Sequence, residues 1–127
     1  MNWLKHLPYY YENDHQIFVH AGIEVIDYQP ELWKQVSTVN TYLMKCPASQ
    51  GQFYKKVIAG HIGTHQVTHQ SDFHQICCLG DFIYLDSSVI TTQFLNVLQY
   101  DCQTCRYQGL IKKNQQWQTY DIAHFNK

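Results

Sequence analysis

Two histidines, His20 and His61, each follow a short apolar segment and lie close to a glycine. The preceding segments, Gln16–Val19 and Lys56–Ala59, are typical of buried strands, because β-branched residues pack well on a pleated sheet. A histidine at the end of such a strand is held in a fixed position, and the neighbouring glycine leaves room for a ligand or metal ion to approach the backbone. If the two strand ends meet, the histidines form half of a metal site.

The elements that position these histidines are predicted from the spacing of apolar residues. A helix is expected over residues 30–45, where apolar side chains recur at helical spacing, and residues 2–7 are expected to end another helix. Residues 106–120 predict a hairpin that turns at Lys113 and Asn114. Strands are predicted at Gln16–Val19, Lys56–Ala59, 73–77, 82–85 and 94–100. This order indicates an α/β protein that is mainly one mixed sheet with a flanking helix.

Four short motifs follow one another in a family-like order. They are residues 4–8, Val19-His20-Ala21-Gly22, Gly60-His61 and Ile83-Tyr84-Leu85-Asp86. In order and spacing they resemble the C-terminal half of the calcineurin-like metallophosphoesterases, nearest to the bacterial serine/threonine protein phosphatases and the related diadenosine tetraphosphate hydrolases. The resemblance covers residues 2–101 and leaves the tail, 102–127, unmatched. It implies that residues 1–127 form a single partial domain, the C-terminal half of a four-layer α/β/β/α sandwich.

The resemblance also implies a chemistry. Members of this family hold two divalent metals, activate water to attack phosphorus, and bind the phosphate oxygens with positive side chains. By this resemblance His20 and His61 are two ligands of one metal (Mn, Fe or Zn), and Lys45 stands where relatives carry a phosphate-binding arginine. Lysine keeps the charge but lacks the bidentate fork of arginine. The alternative that Lys45 is an ordinary solvated lysine stays open.

The family supplies its remaining ligands from Asp-x-His, Gly-Asp-x-x-Asp-Arg and Gly-Asn-His motifs that precede the strand bearing the first histidine. None of them precedes His20 here. Two imidazoles alone hold a divalent metal poorly, because catalytic sites use three or more protein ligands. We therefore expect a truncated metallophosphatase, a phosphoester hydrolase that binds metal only when an N-terminal half is supplied and is inactive alone. The alternative is a non-catalytic binding or regulatory remnant of the same fold.

Composition narrows the remaining function classes. The net charge of −1 and the pI near 6.7 argue against a nucleic-acid-binding surface. The sequence shows neither a transmembrane run nor a secretory signal, which predicts a cytoplasmic protein without a membrane partner. The odd number of cysteines, five, favours reduced thiols. Cys102 and Cys105 have the spacing of half a zinc knuckle, and a small zinc-binding structural protein is a third, weaker alternative.

Two further expectations concern the surface. An apolar sheet face left uncovered invites self-association, so we expect a homodimer or a complex with an N-terminal-half chain, besides the phosphoester substrate. A histidine series follows the second strand, and the residues between its members are poor helix formers. We expect a loop and then an extended segment there, with His65, His69 and His74 as polar surface residues.

Overall fold

The chain folds around a mixed six-stranded sheet in the computed structural model, which describes residues 2–125. Across the sheet the strands are β1 (Tyr10–Glu12), β2 (Gln16–Val19), β3 (Lys56–Ala59), β5 (Phe82–Tyr84), β4 (Cys77–Leu79) and β9 (Ala123–His124). The central strands β2, β3 and β5 run parallel to one another. β1 is antiparallel to β2 and β4 to β5, while β9 is parallel to β4.

A separate antiparallel sheet is formed by the C-terminal part of the chain. Its strands are β6 (Leu95–Asp101), β7 (Arg106–Lys113) and β8 (Gln116–Tyr120). The predicted hairpin is confirmed, but its turn lies at Asn114 and Gln115, both at positive φ, one residue later than the predicted Lys113 and Asn114. Two successive positive φ angles give the turn the twist that joins neighbouring antiparallel strands.

Strands β2 and β3 match their predicted bounds, and β5 and β6 lie within one residue of theirs. The strand predicted at 73–77 is wrong, since β4 begins only at Cys77. Residues 73–76 form a loop, in which the N–H of Phe73 bonds to the carbonyl of Gln70 and the N–H of Ile76 bonds to the hydroxyl of Tyr120. A local turn bond and a long-range bond from Tyr120 thus take backbone groups that a strand would have used.

The single helix predicted over 30–45 is wrong as well. The segment forms a 3₁₀ turn (Pro30–Leu32), α1 (Trp33–Val36) and α2 (Val39–Met44). The break falls at Ser37 and Thr38, where the Thr38 hydroxyl accepts from the N–H of Thr41 and the Thr41 hydroxyl accepts from the N–H of Thr38. This reciprocal cap starts a new helix in place of continuing the first. Residues 2–7 contain only a 3₁₀ turn, Leu4–His6.

Two other short helices lie between strands: α3 (Thr64–Thr68) follows β3 and α4 (Val89–Thr92) follows β5. Helix α3 replaces the loop predicted for the histidine series. The Gln66 side chain accepts from the N–H of Gly63, and the Thr68 hydroxyl donates to the carbonyl of Thr64. These local bonds outweigh the weak helix propensity of the residues involved. Within the described residues no helix combines the length and apolar character needed to cross a membrane.

Alternate residues of the six-stranded sheet build a core on each face. The first face packs under α1 and α2, where Trp33 is fully buried and its indole N–H donates to the hydroxyl of Tyr54 over 2.8 Å. Its other members include Ile17, Val57, Leu79, Phe82 and Tyr84. Ile58, Ile83 and Cys78 point to the opposite face.

The second sheet covers this opposite face. Leu98, Tyr107 and Tyr120 pack against the cluster that contains Ile58 and Ile83. Part of the face expected to be bare is therefore covered by the chain's own tail. A smaller apolar patch stays open at the β1 edge, where Tyr11 and Phe18 are in contact and exposed. The architecture is α/β, with one mixed sheet, one small antiparallel sheet and short helices.

Glu12 links three elements and generates a prediction about stability. Its carboxylate pairs with Lys34 of α1 and with Lys55 before β3, and the hydrogen bonds from these two lysines hold the pKa of Glu12 below its ordinary value of 4.5. A carboxyl whose pKa is lowered by folding stabilises the fold above its unfolded pKa, and this contribution is lost as the pH falls through the folded pKa.

We therefore expect Glu12→Gln to lower the free energy of unfolding at pH 7 by about 1 kcal/mol. A partly exposed network of ion pairs contributes little more than this to stability. The difference from wild type should shrink once the pH falls below 4.5. Urea denaturation between pH 3 and pH 7 measures it, with the exposed Asp14→Asn as the control. A loss that is the same at every pH would contradict the assignment.

Candidate functional site

The two predicted strand ends meet at one edge of the sheet. Because β2 and β3 are parallel and Val19 is paired with Ala59, the residues that follow them emerge side by side. The N–H of Gly60 donates to the carbonyl of His20 over 2.9 Å, which extends the ladder by one bond. Beyond it, His20 Nε2 and His61 Nδ1 are 3.0 Å apart, and both side chains are exposed. The carboxyl ends of parallel strands are where open α/β sheets bind ligands.

The separation of the two nitrogens fits a common metal ion. Two imidazole nitrogens that each lie about 2.1 Å from one ion, at an angle of 90–109°, are about 3.0–3.4 Å apart. The observed 3.0 Å between His20 and His61 falls at the lower end of this range. In the structure the same geometry is a hydrogen bond, in which the N–H of one neutral ring donates to the other. An ion at about 2.1 Å from both nitrogens would lie off the line that joins them, so both rings would have to turn to bind it.

His61 itself has a left-handed backbone, with φ at 67°. This conformation is uncommon for a residue that carries a side chain, and such outliers are concentrated at functional sites. The interpretation of the glycines as openings for a ligand is not supported. A Cβ on Gly60 would only touch the carbonyl of His20 at 3.7 Å, and the space beside Gly22 is filled by the stem of Lys45. The residue with the left-handed backbone is thus His61 and not the neighbouring Gly60. The sequence did not indicate this.

Lys45 packs with its stem against Gly22, two residues after His20, and its charge is paired with Glu24. It caps the C-terminus of α2, which is joined to β2 by a bond of 2.8 Å from the N–H of Ala21 to the carbonyl of Tyr42. Lys45 Nζ lies 3.4 Å from both carboxylate oxygens of Glu24, and the lysine side chain is only 18% exposed. It is therefore not the freely solvated lysine of the alternative reading. An anion that binds Lys45 has to compete with Glu24.

Asp86 follows β5 at the same edge of the sheet. Its carboxylate accepts the N–H of Ser88 at 2.7 Å and its carbonyl accepts the N–H of Thr64, so the residue shapes a turn. In the described part of the chain, no group of three or more His, Cys, Asp or Glu side chains is placed to hold a metal. Asp72-Phe73-His74 has the form of Asp-x-His, yet it lies in the loop before β4 and belongs to no such group. The site therefore has two imidazoles and lacks a third ligand from these residues.

The other histidines are only partly on the surface. The rings of His65 and His74 pack at 5.1 Å, and the Nδ1 atom of each is buried without a hydrogen-bond partner among the described residues. The prediction that both are polar surface residues is wrong, because α3 turns His65 inward onto the loop that carries His74. His69, just after α3, is exposed as predicted.

The cysteines behave as ordinary thiols. All five are free. Cys77 and Cys78 point to opposite faces of β4, as expected, and burial raises the pKa of Cys77 to about 12 and that of Cys78 to about 11. Both are therefore protonated and unreactive at neutral pH. Cys102 and Cys105 are exposed at the turn between β6 and β7 and belong to no metal-binding group among residues 2–125.

A cavity of about 430 Å³ opens beside the histidine pair, and His61 forms part of its wall. The cavity lies between the segment that follows α2, helix α3 and strand β4. Apolar side chains, including Met44, Ile62, Val67 and Leu79, form much of its surface. The histidine pair and the cavity together are the candidate functional site.

Comparisons of the chain with known proteins found no matching family model, no matching curated protein and no matching solved structure. The metallophosphoesterase resemblance accordingly rests on the motifs and their order in the sequence. The parallel strands and the contact between His20 and His61 are compatible with it.

The backbone of His61 generates a second prediction. Since a left-handed residue with a Cβ costs about 1 kcal/mol or more, His61→Gly is expected to be more stable than His61→Ala by about 1 kcal/mol. Position 65, inside α3, is the matched control, because glycine there should be less stable than alanine by about 1 kcal/mol. Thermal and urea denaturation of the four variants measure both differences. Equal stability of the two variants at position 61 would contradict the strained backbone.

Proposed function

We propose that this chain contributes to a metal-dependent phosphoester hydrolase, as the C-terminal half of a phosphatase-like metallophosphoesterase. The observation that carries the proposal is the 3.0 Å contact between His20 Nε2 and His61 Nδ1 at the ends of two parallel strands. Its spacing suits two ligands of one ion, and the motifs around the two histidines resemble that family.

In this proposal His20 and His61 supply two neutral nitrogen ligands to one Mn, Fe or Zn ion. A bound ion would contribute Lewis acidity toward the phosphoryl oxygens. The two parallel strands position the backbone at both histidines, whereas the exposed rings themselves have to be ordered when the ion binds. The remaining ligands, carboxylates and an asparagine, would come from a segment with the Asp-x-His, Gly-Asp-x-x-Asp-Arg and Gly-Asn-His motifs. An N-terminal-half chain is the partner that supplies them in the complete site, and a homodimer is the other association to be tested.

Lys45 is proposed as the residue that holds a phosphate oxygen. Its ammonium is a point charge, and Glu24 keeps it close to the strand that carries His20. A phosphate dianion carries more negative charge than the Glu24 carboxylate, and the ion pair is loose at 3.4 Å. Binding of phosphate would thus exchange one partner of Lys45 for another and leave the half-exposed Glu24 carboxylate to be solvated by water.

The alternative is a non-catalytic binding or regulatory module of the same fold. Two observations favour it: no third metal ligand lies among the described residues, and the charge of Lys45 is paired within the chain. Such a module would retain the histidine pair without hydrolysing a phosphoester. Metal affinity and hydrolysis therefore have to be measured separately.

The first test is metal binding by the chain. Titration with Zn²⁺ and Mn²⁺, followed by calorimetry and by NMR of the imidazole signals, is expected to show weak binding that involves both His20 and His61. His20→Ala and His61→Ala should each lower the affinity at least about tenfold, because each removes one of two ligands. The exposed His15→Ala serves as the control and should leave the affinity unchanged. An affinity that is the same in all four proteins would refute a metal site at the pair.

The second test is hydrolysis of 4-nitrophenyl phosphate with Mn²⁺. The chain alone is expected to be inactive, since catalytic sites use more ligands than two imidazoles. Addition of the N-terminal half of a bacterial serine/threonine phosphatase is expected to give activity that His20→Ala removes. Metal binding without hydrolysis in the mixture would favour the non-catalytic alternative. Hydrolysis that persists in both alanine variants would show that the histidines take no part.

A further inference from the structure

The cavity beside His61 has a well-defined chemical character. It is large enough, at about 430 Å³, to hold an aromatic ring with its substituents. Val67 and Leu79 in its wall are 5% and 2% exposed and belong to the first core. These two walls are part of the packed interior, whereas Met44, Cys46 and Gln50 on the other sides are exposed, so the cavity is open to solvent.

The polar groups of the cavity come from Cys46, Gln50, Gln66, His61 and His69. No Lys, Arg, Asp or Glu side chain is among the described residues that line it. A polyphosphate chain requires several cations or bidentate arginines to replace its water, and this cavity offers none of them. An uncharged apolar group, in contrast, gains free energy by leaving water for such walls.

We propose that this cavity binds the uncharged, apolar part of the substrate, such as the aromatic ring of an aryl phosphomonoester, with its phosphoester end directed toward His61. The inference rests on the proposed function and narrows its substrate class. It favours monoesters of apolar or aromatic alcohols over dinucleoside polyphosphates, whose charge would have to lie along a lining in which the described residues include no lysine or arginine.

The position of His61 indicates how a substrate would be oriented in the cavity. His61 lines the cavity and its Nδ1 also lies 3.0 Å from His20, so one side chain joins the apolar space to the proposed metal ligands. A ring held in the cavity therefore places its oxygen substituent near the histidine pair. Such positioning of the reacting group is a recognised source of rate enhancement.

The test uses the metal-free chain, so that it does not depend on catalysis. Phenol and diadenosine tetraphosphate are titrated separately into the labelled protein, and the shifts of the backbone amide signals are followed by NMR. Phenol, with seven heavy atoms, is expected to bind with a dissociation constant of about 1 mM and to shift residues 46–50, 61–69 and 79. Diadenosine tetraphosphate is expected to bind at these residues at least about tenfold more weakly than phenol.

Two neighbouring substitutions provide a matched pair. Met44 lines the cavity and is 56% exposed, whereas Leu43 is 40% exposed and is not among the lining residues. Met44→Glu introduces a charge at the cavity wall and should weaken phenol binding at least about tenfold, while Leu43→Glu should leave it unchanged. Both positions are on the surface, so neither variant is expected to unfold.

Three outcomes would overturn the inference: phenol shifts that map elsewhere, equal effects of the two glutamate variants, or tighter binding of the dinucleotide at these residues. The phenol-binding test and the metal-binding test can fail independently of each other. Metal binding at His20 and His61 without phenol binding overturns only the cavity assignment. Phenol binding without metal binding supports the cavity and refutes the metal site.

Discussion

The parallel pairing of β2 with β3 is the constraint on which the candidate site depends. Four residues of each strand are in register, from Gln16 opposite Lys56 to Val19 opposite Ala59. A shift of one residue would turn every side chain of one strand to the other face and would bury polar groups where Ile17 and Val57 now pack. The same register that protects the two cores thus brings His20 and His61 within 3.0 Å. Core packing and site geometry are consequences of one set of hydrogen bonds.

The sheet can hold this register because both of its faces are covered. Helices α1 and α2 pack on one face and the three-stranded sheet packs on the other. The tail that forms this second sheet has no counterpart in the family motifs, yet it fills the face that would otherwise be bare. Tyr11 and Phe18 at the β1 edge stay exposed, as do Leu95 and Val97 of the second sheet. These side chains are accessible to a partner chain.

The candidate site holds two imidazoles in contact, and among the described residues no group of three metal-binding side chains includes them. Its two imidazoles have the spacing of metal ligands, and one of them, His61, is held with a left-handed backbone that only the surrounding structure can enforce. The charge of Lys45 is held close by and paired with Glu24. A third metal ligand is missing from the described residues.

The sequence by itself determined β2, β3 and the C-terminal hairpin, because alternating or continuous apolar runs bounded by turn residues specify strands locally. It also identified His20 and His61 as residues at strand ends, and the parallel pairing of β2 with β3 then brought them together. The tertiary structure alone decided the break after α1, where Thr38 and Thr41 cap each other, and the helix α3 that turns His65 inward. It also decided the pairing of Lys45 with Glu24 and the cavity beside His61. These features depend on contacts between residues distant in the chain or on competition between weak local preferences, and neither is encoded in the period of the apolar residues.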